Sequence, residues 1–198
     1  MKWLGLVLAC LVVVLIDAGS VYAQSATLKP NLSGKWLLEA HSQEGTGAIP
    51  LSPTTTLQLE ISDTSPVIKI NRIVTTSGST ETTEYTYYSD GRGEKNPDVG
   101  FLSRPGEKAA VEVKSETKWK KHKLVVVGSF RQRLGAGKLE EVLQLEEWEL
   151  AADGKTLTQI VTRRFEDRAF DVQAGGRTPP VIIATRPLRF KRIYKRVG

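Results

Sequence analysis

Apolar and polar residues alternate with period two through much of the chain from Leu32 onward. Leu57, Leu59 and Ile61 alternate with Gln58 and Glu60. Val111 and Val113 alternate with Glu112, Lys114, Glu116 and Lys118, and Trp119 falls on the valine face. Tyr85 and Tyr87 share one face, with Glu84 and Thr86 on the other. Successive side chains of a strand point to opposite faces. The pattern therefore predicts antiparallel strands packed on one side and wetted on the other. The β-branched and aromatic residues of these runs suit a pleated surface. Turn signals separate them: Ser62-Asp63-Thr64-Ser65-Pro66, then Lys120 to Lys123, then Asp153-Gly154, which reads as a hairpin turn. The predicted strands are 34–40, 55–62, 67–75, 80–88, 109–119, 123–132, 139–150, 155–165 and 187–196, with a short extra strand near Val99 to Leu102. So many short strands with few helix candidates predict an all-β domain, a β-barrel or a sandwich.

Two segments read in more than one way. Leu139, Val142, Leu143 and Leu150 also fit one face of a helix. Leu143 and Leu145 followed by Trp148 and Leu150 fit a strand with a bulge near Glu146-Glu147. Segment 167–187 carries Gly175-Gly176 and Pro179-Pro180 and reads as a long loop, in which Val181-Ile182-Ile183 can pair locally.

The first 23 residues change the meaning of the composition. Lys2 supplies a positive start, Trp3 to Ile16 is uncharged and apolar, and Val21-Tyr22-Ala23 ends on a small residue. That order is a secretory signal peptide, and the apolar run is shorter than the roughly 20 residues a spanning helix needs. Residues 24–31 then form a lead-in and 32–198 the domain, exported to the periplasm or the medium. The only Cys, Cys10, lies in the leader, so a disulfide scaffold and a multi-thiolate zinc site are both excluded. The net charge of +6 survives removal of the leader, which holds one Lys and one Asp.

Candidate chemistry is sparse. The only histidines are His41 and His122, both in polar loops, so neither a Ser-His-Asp arrangement nor a metal site is expected. Phosphate-cradling glycine motifs are absent, and no cofactor is expected. Glu140, Glu141, Glu146, Glu147 and Glu149 read as a solvated outer strand face; an enzyme using them at the barrel mouth is the remote alternative. Basic residues cluster at Lys118, Lys120, Lys121, Lys123, Arg131 and Arg133, and again at Arg186, Arg189, Lys191, Arg192, Lys195 and Arg196. Such faces suit an anionic envelope surface, while the export signal argues against nucleic acid. The inner face is the stronger candidate. Parity places Leu57, Leu59, Ile68, Ile70, Tyr85, Tyr87, Val111, Val113, Val126, Phe130, Leu145 and Phe190 inside. Tyr85, Tyr87, Val113, Ser115, Thr117, Val126, Phe130 and Leu145 would then line a pocket for a small apolar or amphipathic ligand, with two hydroxyls as anchors. The competing reading is a packed core without a cavity, acting through the basic faces.

Leu32-Ser33-Gly34-Lys35-Trp36 and Phe190-Lys191-Arg192-Ile193-Tyr194-Lys195 resemble the two ends of a calycin barrel, the superfamily of lipocalins and fatty-acid-binding proteins. Glu147 to Thr158, Lys118-Trp119 and Leu124-Val125-Val126 are similar to secreted bacterial lipocalin-like proteins of unknown function. The resemblance implies an antiparallel up-and-down β-barrel of about 8–10 strands, in which Trp36 packs at the closed end with Arg192 stacked over it, Arg189 being the substitute. The chain departs from those families in lacking a Thr-Asp-Tyr motif and a helix pair after the first strand.

Overall fold

The computed structural model describes residues 29–44, 54–99, 110–133, 139–165, 169–170, 181–182 and 187–198. The leader 1–23, most of the lead-in, the expected strand beyond Val99, and Arg186 lie outside the described residues. Ten strands form one antiparallel sheet: β1 (Gly34–Glu44), β2 (Thr56–Thr64), β3 (Val67–Thr76), β4 (Ser79–Tyr88), β5 (Glu94–Val99), β6 (Ala110–Lys120), β7 (Lys123–Arg133), β8 (Leu139–Leu150), β9 (Thr156–Phe165) and β12 (Leu188–Val197). The strands β10 (Ala169–Phe170) and β11 (Val181–Ile182) pair with each other, as the local pairing near Val181 predicts. The sheet order is β4-β3-β2-β1-β12-β9-β8-β7-β6-β5, a nearly closed up-and-down barrel. No helix occurs among the described residues.

Four connections are short and share one end of the barrel: those between β2 and β3, β4 and β5, β6 and β7, and β8 and β9. That end is filled by apolar side chains. Leu32, Trp36, Leu59, Ile61, Ile68, Ile70, Tyr87, Leu124, Val126, Trp148, Leu157 and Tyr194 form one buried cluster. Trp148 and Tyr194 stack with ring centres 6.4 Å apart.

Trp36 anchors this end. Its side chain is fully buried, and Nε1–H donates to the Leu32 carbonyl at 3.0 Å. Gly34 takes φ 138°, which side-chain-bearing residues rarely adopt, and this admits the chain to β1 beside the indole. The stacked cation is Arg196, 4.5 Å from the ring centre, and neither Arg192 nor Arg189. Strand register explains the correction. Arg196 lies opposite Trp36 on β12, whereas Arg192 sits further up the strand, opposite Gln159 and His41. Arg189 faces outward near Glu44 at 3.9 Å.

Strand β8 is regular. Its pairing with β7 and β9 runs without a shift, so no bulge occurs at Glu146-Glu147. Val142, Gln144, Glu146 and Trp148 therefore face inward, while Leu143 and Leu145 face outward at 51% and 39% exposure. Leu145 is thus no pocket residue. The irregularity lies instead in β1, between Leu38 and Ala40.

Candidate functional site

Above the apolar end the interior turns polar. Buried polar side chains are Glu94, Asn96, Ser115, Thr117, Gln132, Gln144, Glu146, Gln159 and Arg163. Their strands alternate as expected; polar residues simply occupy inward positions. On β9, Gln159 and Arg163 share parity with Leu157 and Val161. On β3, Arg72 shares parity with Ile68 and Ile70, because it pairs with Leu59 of β2.

Gln159 is the centre of one network. Its Nε2 donates to Glu146 Oε1 at 2.7 Å, while its Oε1 accepts from Arg192 Nη1 at 2.9 Å and from the Tyr194 hydroxyl at 3.1 Å. Burial pushes the Glu146 carboxyl up from the ordinary glutamate range; the Gln159 bond opposes this and the charge of Asp98 adds to it. Burial likewise raises the Tyr194 phenol to about 12, against the pull of Arg192 and Arg72. Tyr85 is raised by burial and drawn back by the neighbouring Arg72 guanidinium.

Arg163 is the centre of a second network, four residues and so about 13 Å further along β9. Its Nε donates to Gln144 Oε1 at 2.9 Å and its Nη2 to Asp98 Oδ2 at 2.7 Å. Its guanidinium lies 5.2 Å from the Phe130 ring centre and 5.9 Å from that of Phe190. Asp98 stands on β5, four strands from β9 in the sheet order, so this ion pair crosses the lumen.

Arg72 and Arg192 differ from Arg163 in one respect. Among the described residues neither has a carboxylate within ion-pair distance. Arg72 interacts with the Tyr85 hydroxyl, and its Nε is buried without a partner. Both arginines face inward yet keep partial exposure, as do Leu38, Val74, Tyr85 and Phe190. Backbone register gives the reason. β1 pairs with β2 only over Gly34–Leu37 and Gln58–Ile61, then follows β12 alone. Beyond Leu37 the ladder between the two strands ends, and the partly exposed inward side chains lie on this side, on β1, β3, β4 and β12.

Of the expected pocket residues, Tyr85 lies on this accessible side. Tyr87, Val113, Ser115, Thr117, Val126 and Phe130 face inward as predicted, but they are buried among neighbours. Ser115 and Thr117 spend their hydroxyls on Glu94 Oε1, at 2.8 and 2.7 Å. Glu146 does not join the outer row of glutamates; Glu149 does, pairing with His122 at 2.9 Å and Lys123 at 3.2 Å. The residues that sequence reasoning missed are Arg72, Gln144, Glu146, Gln159, Arg163 and Asp98. Extending inward parity along each strand would have found the first five.

The raised Glu146 carboxyl predicts a pH dependence. Because its folded value lies above the unfolded one, its contribution to stability is full below the ordinary glutamate range. It is lost as pH rises through the raised value. In urea titrations across that window, Glu146→Gln should gain stability relative to the parent as pH rises. A constant difference would mean that the carboxyl ionises normally.

No protein-family model matches this chain, and no curated protein matches it.

Proposed function

We propose that this chain is an exported, non-enzymatic binding protein of lipocalin-like type. It holds one small amphipathic ligand inside the barrel, with an anionic or strongly polar head toward Arg72 and Arg192. The observation that carries this reading is the pair of inward arginines without a carboxylate partner among the described residues. Carboxylates act on them only at longer range, Glu146 on Arg192 and Asp98 on Arg72, and an anionic guest supplies a direct counter-charge. The hydroxyl of Tyr85 adds a second polar contact beside Arg72, and Leu38, Val74 and Phe190 offer apolar surface beside the head. A few polar groups within apolar walls are the usual composition of a small-molecule site. Export rests on the leader read in residues 1–23, and the lipocalin-like assignment on the Gly34-Lys35-Trp36 end of the barrel.

Titration with dodecanoate, followed by displacement of a fluorescent carboxylate, tests the reading. The expected result is saturable one-to-one binding that weakens about tenfold or more in Arg72→Met, a loss of roughly 1.4 kcal/mol. Dodecanol, which lacks the charge, should be much less sensitive to that substitution. If the folded protein saturates with neither amphiphile, the reading is wrong.

A further inference from the structure

Resting on the reading that an anionic head lies toward Arg72 and Arg192, we infer that the guest is taken up together with a proton. Glu146, joined to Arg192 through the Gln159 amide, is the guest's rival for that guanidinium and is neutral in the loaded barrel. One anion and one proton enter together, the proton on the Glu146 carboxylate, and both leave when the carboxyl ionises.

Three adjacent strands lay out this relay. Gln159 on β9 stands opposite Trp148 on β8 and opposite Arg192 on β12. Glu146 is two residues before Trp148, so it shares the inward face, and it is buried there. Carboxyl, amide and guanidinium thus form one row along the inner wall. The ladders β7–β8, β8–β9 and β9–β12 run without a shift, so the row sits on a rigid part of the sheet. Both neighbours fix the orientation of the amide. Its Nε2 donates to Glu146 Oε1, while its Oε1 accepts from Arg192 Nη1 and the Tyr194 hydroxyl. The reverse orientation would set its N–H groups against those of Arg192. The charge state of Glu146 therefore reaches Arg192 through one polarised amide.

The sign of the coupling follows from the groups around the carboxyl. Burial and the charge of Asp98 disfavour its ionised form, whereas Gln159 and Arg192 favour it. A guest anion at Arg192 adds a second negative charge and engages the guanidinium that favoured the carboxylate. Both changes favour the neutral acid. Linkage is reciprocal, so a proton on Glu146 tightens the guest's binding by the same factor. The other titratable or charged groups facing this interior are Arg163 on β9, Arg192 and Tyr194 on β12, Arg72 on β3, Tyr85 and Tyr87 on β4, and Glu94 and Asp98 on β5. From β6 and β7 the inward Ser115, Thr117, Leu124 and Val126 carry no titratable group. The three phenols are raised by burial, Tyr194 to about 12, and keep their protons. Asp98 and Glu94 are the carboxylates from which Glu146 must be told apart.

Calorimetric titration with decanesulfonate, whose head stays ionised throughout, tests the linkage. Comparing two buffers of different ionisation enthalpy at each pH counts the protons that move with the guest. The unaltered protein should take up a proton on binding, and its Kd should rise about tenfold as pH climbs through the ordinary glutamate range and above it, a usual size for coupled sites. This measurement does not depend on a variant folding. Glu146→Gln, which keeps the acceptor for Gln159 and cannot ionise, should bind without proton uptake and with a Kd that no longer follows pH. Saturable binding by the unaltered protein without proton uptake would overturn the linkage and leave the binding reading standing. So would uptake that persists in Glu146→Gln, which would assign the proton to Asp98 or Glu94. Binding of dodecanoate but not of the sulfonate would show a head not held by its charge and would overturn the linkage. Saturable binding of neither by the unaltered protein would overturn the binding reading and the linkage with it.

Discussion

Replacing Trp36 by Ala should cost about 3–5 kcal/mol of unfolding free energy, the range for emptying a buried aromatic site. The indole is fully buried at the closed end, where Leu32 and Leu59 belong to the same cluster. Three separate effects are lost together. The apolar surface of the ring leaves a cavity bounded by strands that cannot collapse freely. The Leu32 carbonyl loses its donor, the Nε1–H at 3.0 Å. Arg196 loses the ring face over which it lies. Trp36→Phe should recover much of the packing but not the hydrogen bond. Arg196→Ala should cost far less, roughly 0.5–2 kcal/mol, because a partly exposed cation–π contact is modest. Urea unfolding of the three variants measures this order. An Ala variant within about 1 kcal/mol of the parent would contradict the assignment of this end as the anchor of the barrel, given the expected range.

Asn96→Ala should produce the second large loss. One side chain satisfies both the N–H and the carbonyl of Thr86, at the one place where the sheet ends face each other. Removing it orphans two backbone groups, at roughly 1–3 kcal/mol each where water cannot replace the amide. Asn96→Asp keeps the acceptor for the Thr86 N–H but loses the donor, so it should fall between parent and Ala. Urea unfolding gives the size of the effect, and hydrogen exchange at the Thr86 amide gives its location. A loss below about 0.5 kcal/mol, less than half a typical net hydrogen bond, would mean that the seam is held by other contacts.

The barrel itself was legible because its outer wetting and inner packing impose period two. Strands β2, β3, β4, β6, β7 and β9 lie within a residue or two of their predicted limits. Strand β5 was nearly invisible for a physical reason: its inward residues are Glu94, Asn96 and Asp98, so no apolar alternation marks it. Its Pro97 is tolerable on a terminal strand, where one side lacks a ladder. In β8 the leucines misled. Leu143 and Leu145 are outward, and the inward Gln144 and Glu146 read as surface residues because they are polar. Only a bulge at Glu146-Glu147 would keep both leucines inside with Trp148, and the uninterrupted register has none.

The candidate site was legible only in part, for a related reason. Hydrophobicity locates the face that avoids water, and in this barrel that criterion finds the packed closed end. The functional groups lie on the same face but break its chemistry. Arg72 follows Ile68 and Ile70, and Gln159 and Arg163 interleave with Leu157 and Val161. Position along the strand also mattered. Arg192 and Arg196 are both inward and four residues apart on β12. Only the register against β1 assigns Arg196 to the indole and leaves Arg192 in the lumen.

Native mass spectrometry of the protein purified from its own host tests the central claim most directly. The account predicts one small acidic molecule bound per chain, released on unfolding and lost or much reduced in Arg72→Met. A folded protein that carries only its own mass, in both forms and after incubation with dodecanoate, would contradict it.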